Sequence, residues 1–195
     1  ICQFSIMPFL GFSLAKLLNF PAEIAAGVVL IGSSPSGLAS NVMAYLAKAN
    51  VALSVTLTAV ATVLAPIMTP FLMKHFAGSF VPIDFVAMMV SIVKMVILPV
   101  SLGLIFNHFF YGRAKWLDKA MPLVSMTAIA FIIMIITAAG RDSLLSIGVL
   151  LILAAIIHNV LGYLLGYWSC RVLRMREQDC RTIALEVGMQ NGGLA

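Results

Sequence analysis

Between Val51 and Met73 the chain carries no charged side chain, and the stretches Ala120 to Ala139 and Leu144 to Cys170 repeat the pattern. At 1.5 Å rise per residue, a helix that crosses a bilayer needs roughly 20 apolar residues. Runs this long, separated by short loops, read as spanning helices. Barrel strands would instead alternate lipid-facing and lumen-facing residues. The composition agrees: of 195 residues, 62% are hydrophobic and 10% are charged. Soluble domains carry roughly 25% charged residues, so this chain lacks the polar surface of a water-soluble globule. The expected class is an all-α, polytopic, multi-pass integral membrane protein set in a lipid bilayer, with length for about seven crossings.

Charges and prolines mark the boundaries. The predicted segments are 1–18, 21–48 with a break inside it, 51–76, 85–111, 120–139, 144–170 and 182–195. The break is Gly32-Ser33-Ser34-Pro35-Ser36-Gly37, after which a short helical piece resumes at Leu38. Nothing at the start resembles a cleavable leader with a basic n-region. The chain begins inside one apolar run and stops inside another, so it is expected to be the interior of a longer protein.

The net charge of +5 does not point to nucleic acid, because the basic residues sit in short loops. Lys48, Arg113, Lys115, Lys119, Arg171, Arg174, Arg176 and Arg181 fall in alternate loops, and Lys16, Lys74 and Arg141 in the opposite ones. The excess assigns the first set to the cytoplasmic side. That parity requires 21–48 to cross once despite its break.

The break itself carries chemistry. Backbone groups in lipid must be satisfied internally, so such a run is tolerated only when buried in protein or lining a cavity. Pro35 lacks an N–H and frees carbonyl oxygens, which suit a hard cation, while the new helix start near Leu38 favours an anion. A plain proline kink beside small-residue packing is the other reading. Ser40-Asn41 follows directly, and Ser54 and Thr58 stand four apart on one helix face. Such hydroxyls either coordinate a cation or bond their own helix carbonyls.

Glu186 is the sharpest residue. An intramembrane carboxylate is a functional-site hypothesis by default. Gln190 lies at i+4 on the same face and Asn191 adjoins it. Amides and hydroxyls around a carboxylate suit a monovalent cation or a proton; a salt bridge to Arg181 is the alternative. Around Glu186 to Gly193 the composition repeats that of Gly32 to Asn41, and paired interrupted segments point to a transporter site built on inverted repeats.

Other polar residues carry less. Gln3 is isolated in an apolar run, Lys94 either binds cargo or snorkels, and His158 is expected to bond between helices rather than hold a metal. Cys2, Cys170 and Cys180 have neither metal-ligand spacing nor an even count for a disulfide framework. There is no Walker loop, HExxH or GxSxG, so the chain is not expected to be an enzyme or an ATP-driven pump.

The residues Ser34-Pro35-Ser36-Gly37, Ala39-Ser40-Asn41-Val42, Tyr45-Leu46-Ala47-Lys48, Val51-Ala52-Leu53-Ser54-Val55 and Ala65-Pro66-Ile67-Met68-Thr69-Pro70, together with Glu186-Val187-Gly188-Met189-Gln190-Asn191 and Gly193-Leu194-Ala195, resemble the bile acid:sodium symporter family in its bacterial form. The resemblance covers essentially the whole chain. It implies an inverted-repeat transporter of ten helices, with a core domain, a panel domain and two discontinuous helices that cross. This chain would begin in the third helix and end inside the ninth. Residues 1–84 would be core helices including the first broken helix, 85–140 panel helices, and 141–195 core helices including the start of the second broken helix.

The resemblance further implies two sodium sites. The first would use Ser40, Asn41, Ser54, Thr58 and Glu186. The second would use Gln3, Glu186, Val187, Met189 and Gln190, with carbonyls from Val187 and Met189. Asn191 and Gly192 match positions that approach the organic anion, and Leu38 stands where some relatives have Thr. Two Na⁺ sharing one carboxylate leave about one net positive charge, which favours an anionic cargo. The expected function is sodium-coupled symport of an organic anion, bile acid-like or another small carboxylate, by alternating access in a bacterial inner membrane. The rival expectations are a cation/proton exchanger using Glu186 as proton carrier, and a membrane receptor or scaffold that transports nothing.

Overall fold

The computed structural model describes residues 2–110, 123, 124, 127, 130, 131, 134, 135 and 137–193. In chain order the helices are α1 (Cys2–Leu17), α2 (Ala22–Ser33), α3 (Ala39–Leu46), α4 (Val51–Phe76), α5 (Phe85–Ile92), α6 (Leu98–Phe110), α7 (Arg141–Val172) and α8 (Glu177–Gly188). A single π turn, Val93–Ile97, joins α5 to α6 and carries Lys94 on its exposed side. Among the described residues, three stretches are long and apolar enough to cross a membrane: Val51–Ser79, Phe85–Phe106 and Leu145–Val172. The all-α membrane architecture expected from the sequence is what the chain forms. The basic loop with Arg113, Lys115 and Lys119 lies outside the described residues, as does much of the predicted span 120–139.

Two compact units form: Ile1–Ile97 with Ala154–Ala195, and Leu98–Leu153. The first unit buries many hydroxyls beside its apolar core and exposes large apolar side chains. Ser33, Ser34, Ser36, Ser40, Ser54, Thr58, Thr69, Thr182 and Glu186 are buried, whereas Val63, Ile67 and Phe71 of α4 are exposed. A soluble protein sorts these types the other way. In a bilayer the arrangement is favourable, since apolar side chains meet lipid and polar ones find partners among themselves.

Helix ends follow local chemistry. Asn50 caps α4 by accepting from the Leu53 amide at 3.1 Å, and Asp84 caps α5 by accepting from the Ala87 amide at 3.0 Å. At one end of the first unit, Ala26 and Val29 of α2 pack with Met73 of α4 and Ala77, and Phe12 and Phe76 cover them. Helices α1 and α2 approach backbone to backbone. A Cβ on Gly32 would stand 2.4 Å from the Met7 carbonyl oxygen, so only glycine allows this approach.

The last segment differs from the sequence expectation. It was predicted to start at Thr182 after a loop over Arg171 to Arg181, but α7 runs on to Val172 and α8 begins at Glu177. The charges that read as loop are helix-start chemistry. Glu177 and Asp179 lie in the first turn of α8, where the macrodipole favours anions. Arg181 then pairs with Glu177 one turn back, at 3.0 Å.

Candidate ion site

Both polar interruptions are real breaks, and they pair with each other. Helix α2 stops at Ser33, with Ser34 extended, and α8 stops at Gly188, with Met189 extended. The extended pieces run antiparallel: the Gly37 amide donates to the Met189 carbonyl at 3.0 Å, and the Asn191 amide donates to the Pro35 carbonyl at 2.9 Å. Some backbone groups released by each break are thus satisfied by the other, while the Ser33 and Ser34 carbonyls accept from Thr69 and Gln3 side chains, as a low-dielectric setting demands. A Cβ on Gly37 would stand 3.0 Å from the Gln190 carbonyl oxygen, so the close crossing favours a residue without a side chain here.

Glu186, 3% exposed, sits one turn before this crossing. Ser36 donates to its Oε2 at 2.6 Å, Ser40 to its Oε1 at 2.6 Å, and Ser54 to its Oε1 at 2.5 Å. The Thr58 hydroxyl lies 3.1 and 3.0 Å from the two carboxylate oxygens. Removing a carboxylate from water costs several kcal/mol. Each hydrogen bond to a charged group offsets about 1.5–3 kcal/mol, so four hydroxyls are enough to hold it there. Among the described residues no basic side chain forms an ion pair with Glu186; Arg181 pairs with Glu177 instead.

The hydroxyls have more acceptors than protons. Thr58 also lies 3.0 Å from the Ser54 carbonyl and 3.3 Å from the Asn41 side-chain oxygen, and Ser40 lies 2.8 Å from the Gly37 carbonyl. Each hydroxyl donates once and accepts twice. Ser40 and Thr58 can therefore donate to those other oxygens and turn lone pairs towards a cation bound at the carboxylate. A carboxylate, an amide oxygen and three or four hydroxyls make an all-oxygen set of the kind that hard cations favour.

All five residues of the first predicted set, Ser40, Asn41, Ser54, Thr58 and Glu186, are brought together. Ser36 belongs with them and was missed as a site residue. Its place between Pro35 and Gly37, inside the break, was the available signal.

Of the second set, Gln3, Glu186, Val187 and Gln190 come together, while the Met189 carbonyl bonds to Gly37 across the break. The Gln3 side-chain amide donates to the Ser34 carbonyl at 2.9 Å and to the Gln190 side-chain oxygen. Gln190 in turn donates to the Val187 carbonyl at 2.7 Å. Those acceptors fix the orientation of both amides. They leave the buried Gln3 Oε1 without a hydrogen-bond partner among the described residues. An orphaned buried acceptor costs free energy unless a donor or a cation meets it. A cavity of about 170 Å³ opens beside Gln3, Ser36 and Glu186, walled mainly by apolar side chains such as Leu57 and Val60. The Met189 carbonyl already accepts from Gly37 and keeps one lone pair.

Asn191 joins the crossing through its backbone, and its side-chain oxygen accepts from the Gly193 amide at 3.2 Å. Gly192 is exposed beside it, and Leu38 is exposed at the start of α3. His158 bonds between helices as expected, its Nε2 lying 3.0 Å from the Met7 carbonyl oxygen. Cys2, Cys170 and Cys180 are free thiols.

The sodium bile acid symporter family model matches residues 1–147. A Bacillus subtilis protein named as an uncharacterised sodium-dependent transporter is 44% identical over 194 residues, covering all of this chain and 60% of that protein. A protein of Arabidopsis thaliana named as a probable chloroplastic sodium/metabolite cotransporter is 37% identical over 194 residues, covering all of this chain and 48% of its own length. The human ileal sodium/bile acid cotransporter is 34% identical over 203 residues, covering 98% of this chain and 56% of that protein. The chain thus spans about half to three fifths of the length of these relatives.

Proposed function

The chain belongs to the sodium bile acid symporter family, and on that premise we propose that it works as a sodium-coupled symporter that imports an organic anion by alternating access. It is a transporter chain rather than an enzyme. The observation that carries the reading is the buried Glu186, faced by four hydroxyls and by no basic partner among the described residues, beside the crossing of two broken segments. Discontinuous helices that meet at membrane depth are where secondary transporters place ions and cargo.

One sodium ion is held by Ser40, Asn41, Ser54, Thr58 and Glu186. A second is held by Gln3, Glu186, Gln190 and the carbonyls of Val187 and Met189. The orphaned Gln3 Oε1 supports the second assignment, since a cation supplies the partner it lacks. Two monovalent cations on one carboxylate leave a net positive centre, which favours an anionic cargo near Asn191 and Gly192. That cargo is a bile acid-like molecule or another small carboxylate. Core helices 1–84 and 141–195 rock against panel helices 85–140, in a bacterial inner membrane.

The test is uptake of candidate organic anions by the full-length protein, with sodium replaced by choline at constant ionic strength. Uptake is expected to collapse in choline. A true substrate taken up equally in both salts would refute the coupling. Proton release on adding sodium, with no organic anion present, would instead favour cation/proton exchange through Glu186.

A further inference from the structure

One turn before the ion-site residues, α4 and α8 are tied together a second time. The Asn50 amide donates to the Thr182 hydroxyl at 2.9 Å, and that hydroxyl lies 3.2 Å from the Asn50 carbonyl and 2.9 Å from the Gln178 carbonyl. The Asn50 side chain divides its work. Its oxygen caps α4, and its amide donates to Asp179 Oδ1 at 2.8 Å. Asp179 Oδ2 accepts from Arg176 at 3.0 Å. Thr182 and Asp179 are both buried.

The register makes these contacts informative. Asn50 stands four residues before Ser54 on one side, and Thr182 four before Glu186 on the other. Residues four apart lie one above the other on a helix face. The pair Asn50–Thr182 is therefore the rung next to the pair Ser54–Glu186. Binding sites depend on sub-ångström placement of their ligands by neighbours with fixed positions. A capping side chain that also bonds to the facing helix provides that: it sets where α4 begins and holds that start against α8.

Resting on the sodium reading above, we propose that Asn50, Asp179 and Thr182 are positioning residues that set sodium affinity by fixing the distance between Ser54 and Thr58 on α4 and Glu186 on α8. None of the three touches the ion. They act through the rung they share with the carboxylate, so loosening them weakens sodium binding while leaving the ligands in place.

The experiment is sodium-dependent thermal stabilisation of the full-length protein in detergent, titrated against choline. Thr182→Val removes the hydroxyl at nearly constant volume, and Thr182→Ser restores it. Asn50→Ser keeps an N-cap for α4 but loses the amide that reaches Asp179, and it stands in should Thr182→Val not fold. Thr182→Val and Asn50→Ser are expected to raise the half-saturating sodium concentration by about tenfold, with Thr182→Ser within about twofold of wild type. A lowered melting temperature in choline with unchanged half-saturating sodium is what a merely structural tie would give, and it overturns the proposal. Wild-type protein that gains no stability from sodium overturns the sodium reading itself, a separate and recognisable outcome.

Discussion

Ser36 donates its hydroxyl proton to Glu186 Oε2 at 2.6 Å across 150 positions of the chain, and that bond joins the two broken segments at the carboxylate. Ser36 precedes Gly37, whose amide meets Met189, so one short stretch binds both the backbone and the side chain of the opposite break. Ser36→Ala removes one of four hydroxyls around the carboxylate and leaves the backbone pairing intact. Half-saturating sodium for uptake is expected to rise about threefold to tenfold. Glu186→Gln, which removes the charge that both proposed ions share, should abolish sodium-dependent uptake altogether. Equal effects from the two variants would contradict the arrangement, and membrane levels of both should be checked by quantitative blotting.

Gln3 offers a separate handle on the second ion. Its Oε1 is buried without a partner among the described residues, while its amide nitrogen is committed to Ser34 and Gln190. Gln3→Leu is expected to lower the Hill coefficient for sodium from above 1 towards 1, with the first site still saturable. Cooperativity retained at the wild-type value would remove Gln3 from the site.

Two glycines of α2 should respond in opposite ways. A Cβ at Gly32 would fall 2.4 Å from the Met7 carbonyl oxygen, whereas one at Gly27 meets nothing within 4 Å. Gly32→Ala has to push two backbones apart and is expected to destabilise the protein by about 1–3 kcal/mol. Gly27→Ala gains helix propensity and is expected to be neutral or to stabilise by up to about 1 kcal/mol. Melting temperatures in detergent distinguish the two; destabilisation by both would mean that α2 is packed on its Gly27 side as well.

Acid should loosen the tie at the start of α8. Hydrogen bonds from Asn50 and then from Arg176 hold the Asp179 carboxyl below the ordinary aspartate range. A carboxyl depressed on folding stabilises the folded state above its unfolded pKa of about 3.9, and that contribution is lost as pH falls through the lower folded value. The difference in melting temperature between wild type and Asp179→Asn is expected to be full at pH 7 and to shrink below about pH 4. A difference that stays constant down to pH 3 would show that charge on Asp179 plays no part.

Much of the fold was legible because its signals are local. The predicted span 51–76 coincides with α4, and 1–18 and 85–111 agree with their helices to within a residue or two, because apolar length between charges and prolines needs no distant partner. The start of α8 was not legible. Glu177, Asp179 and Arg181 look the same in a solvated loop as in a first helical turn, and only their contacts with Tyr167, Asn50 and one another decide between them.

The candidate site divides along the same line. Sequence alone determined that the chain is a helical membrane protein, that polar breaks interrupt it near Pro35 and shortly after Glu186, and that Glu186 is a carboxylate in need of partners; the helices in fact run on to Ser33 and Gly188 before each break. Those conclusions follow from the cost of polar groups in lipid, which acts on each segment separately. Tertiary structure alone decided which partners it has. Ser36 became a neighbour of Glu186, Arg181 turned away to Glu177, and Asn50 came to rest on Thr182. Each of these contacts depends on how the two breaks cross, and a crossing of backbones leaves no periodic trace in the sequence that makes it.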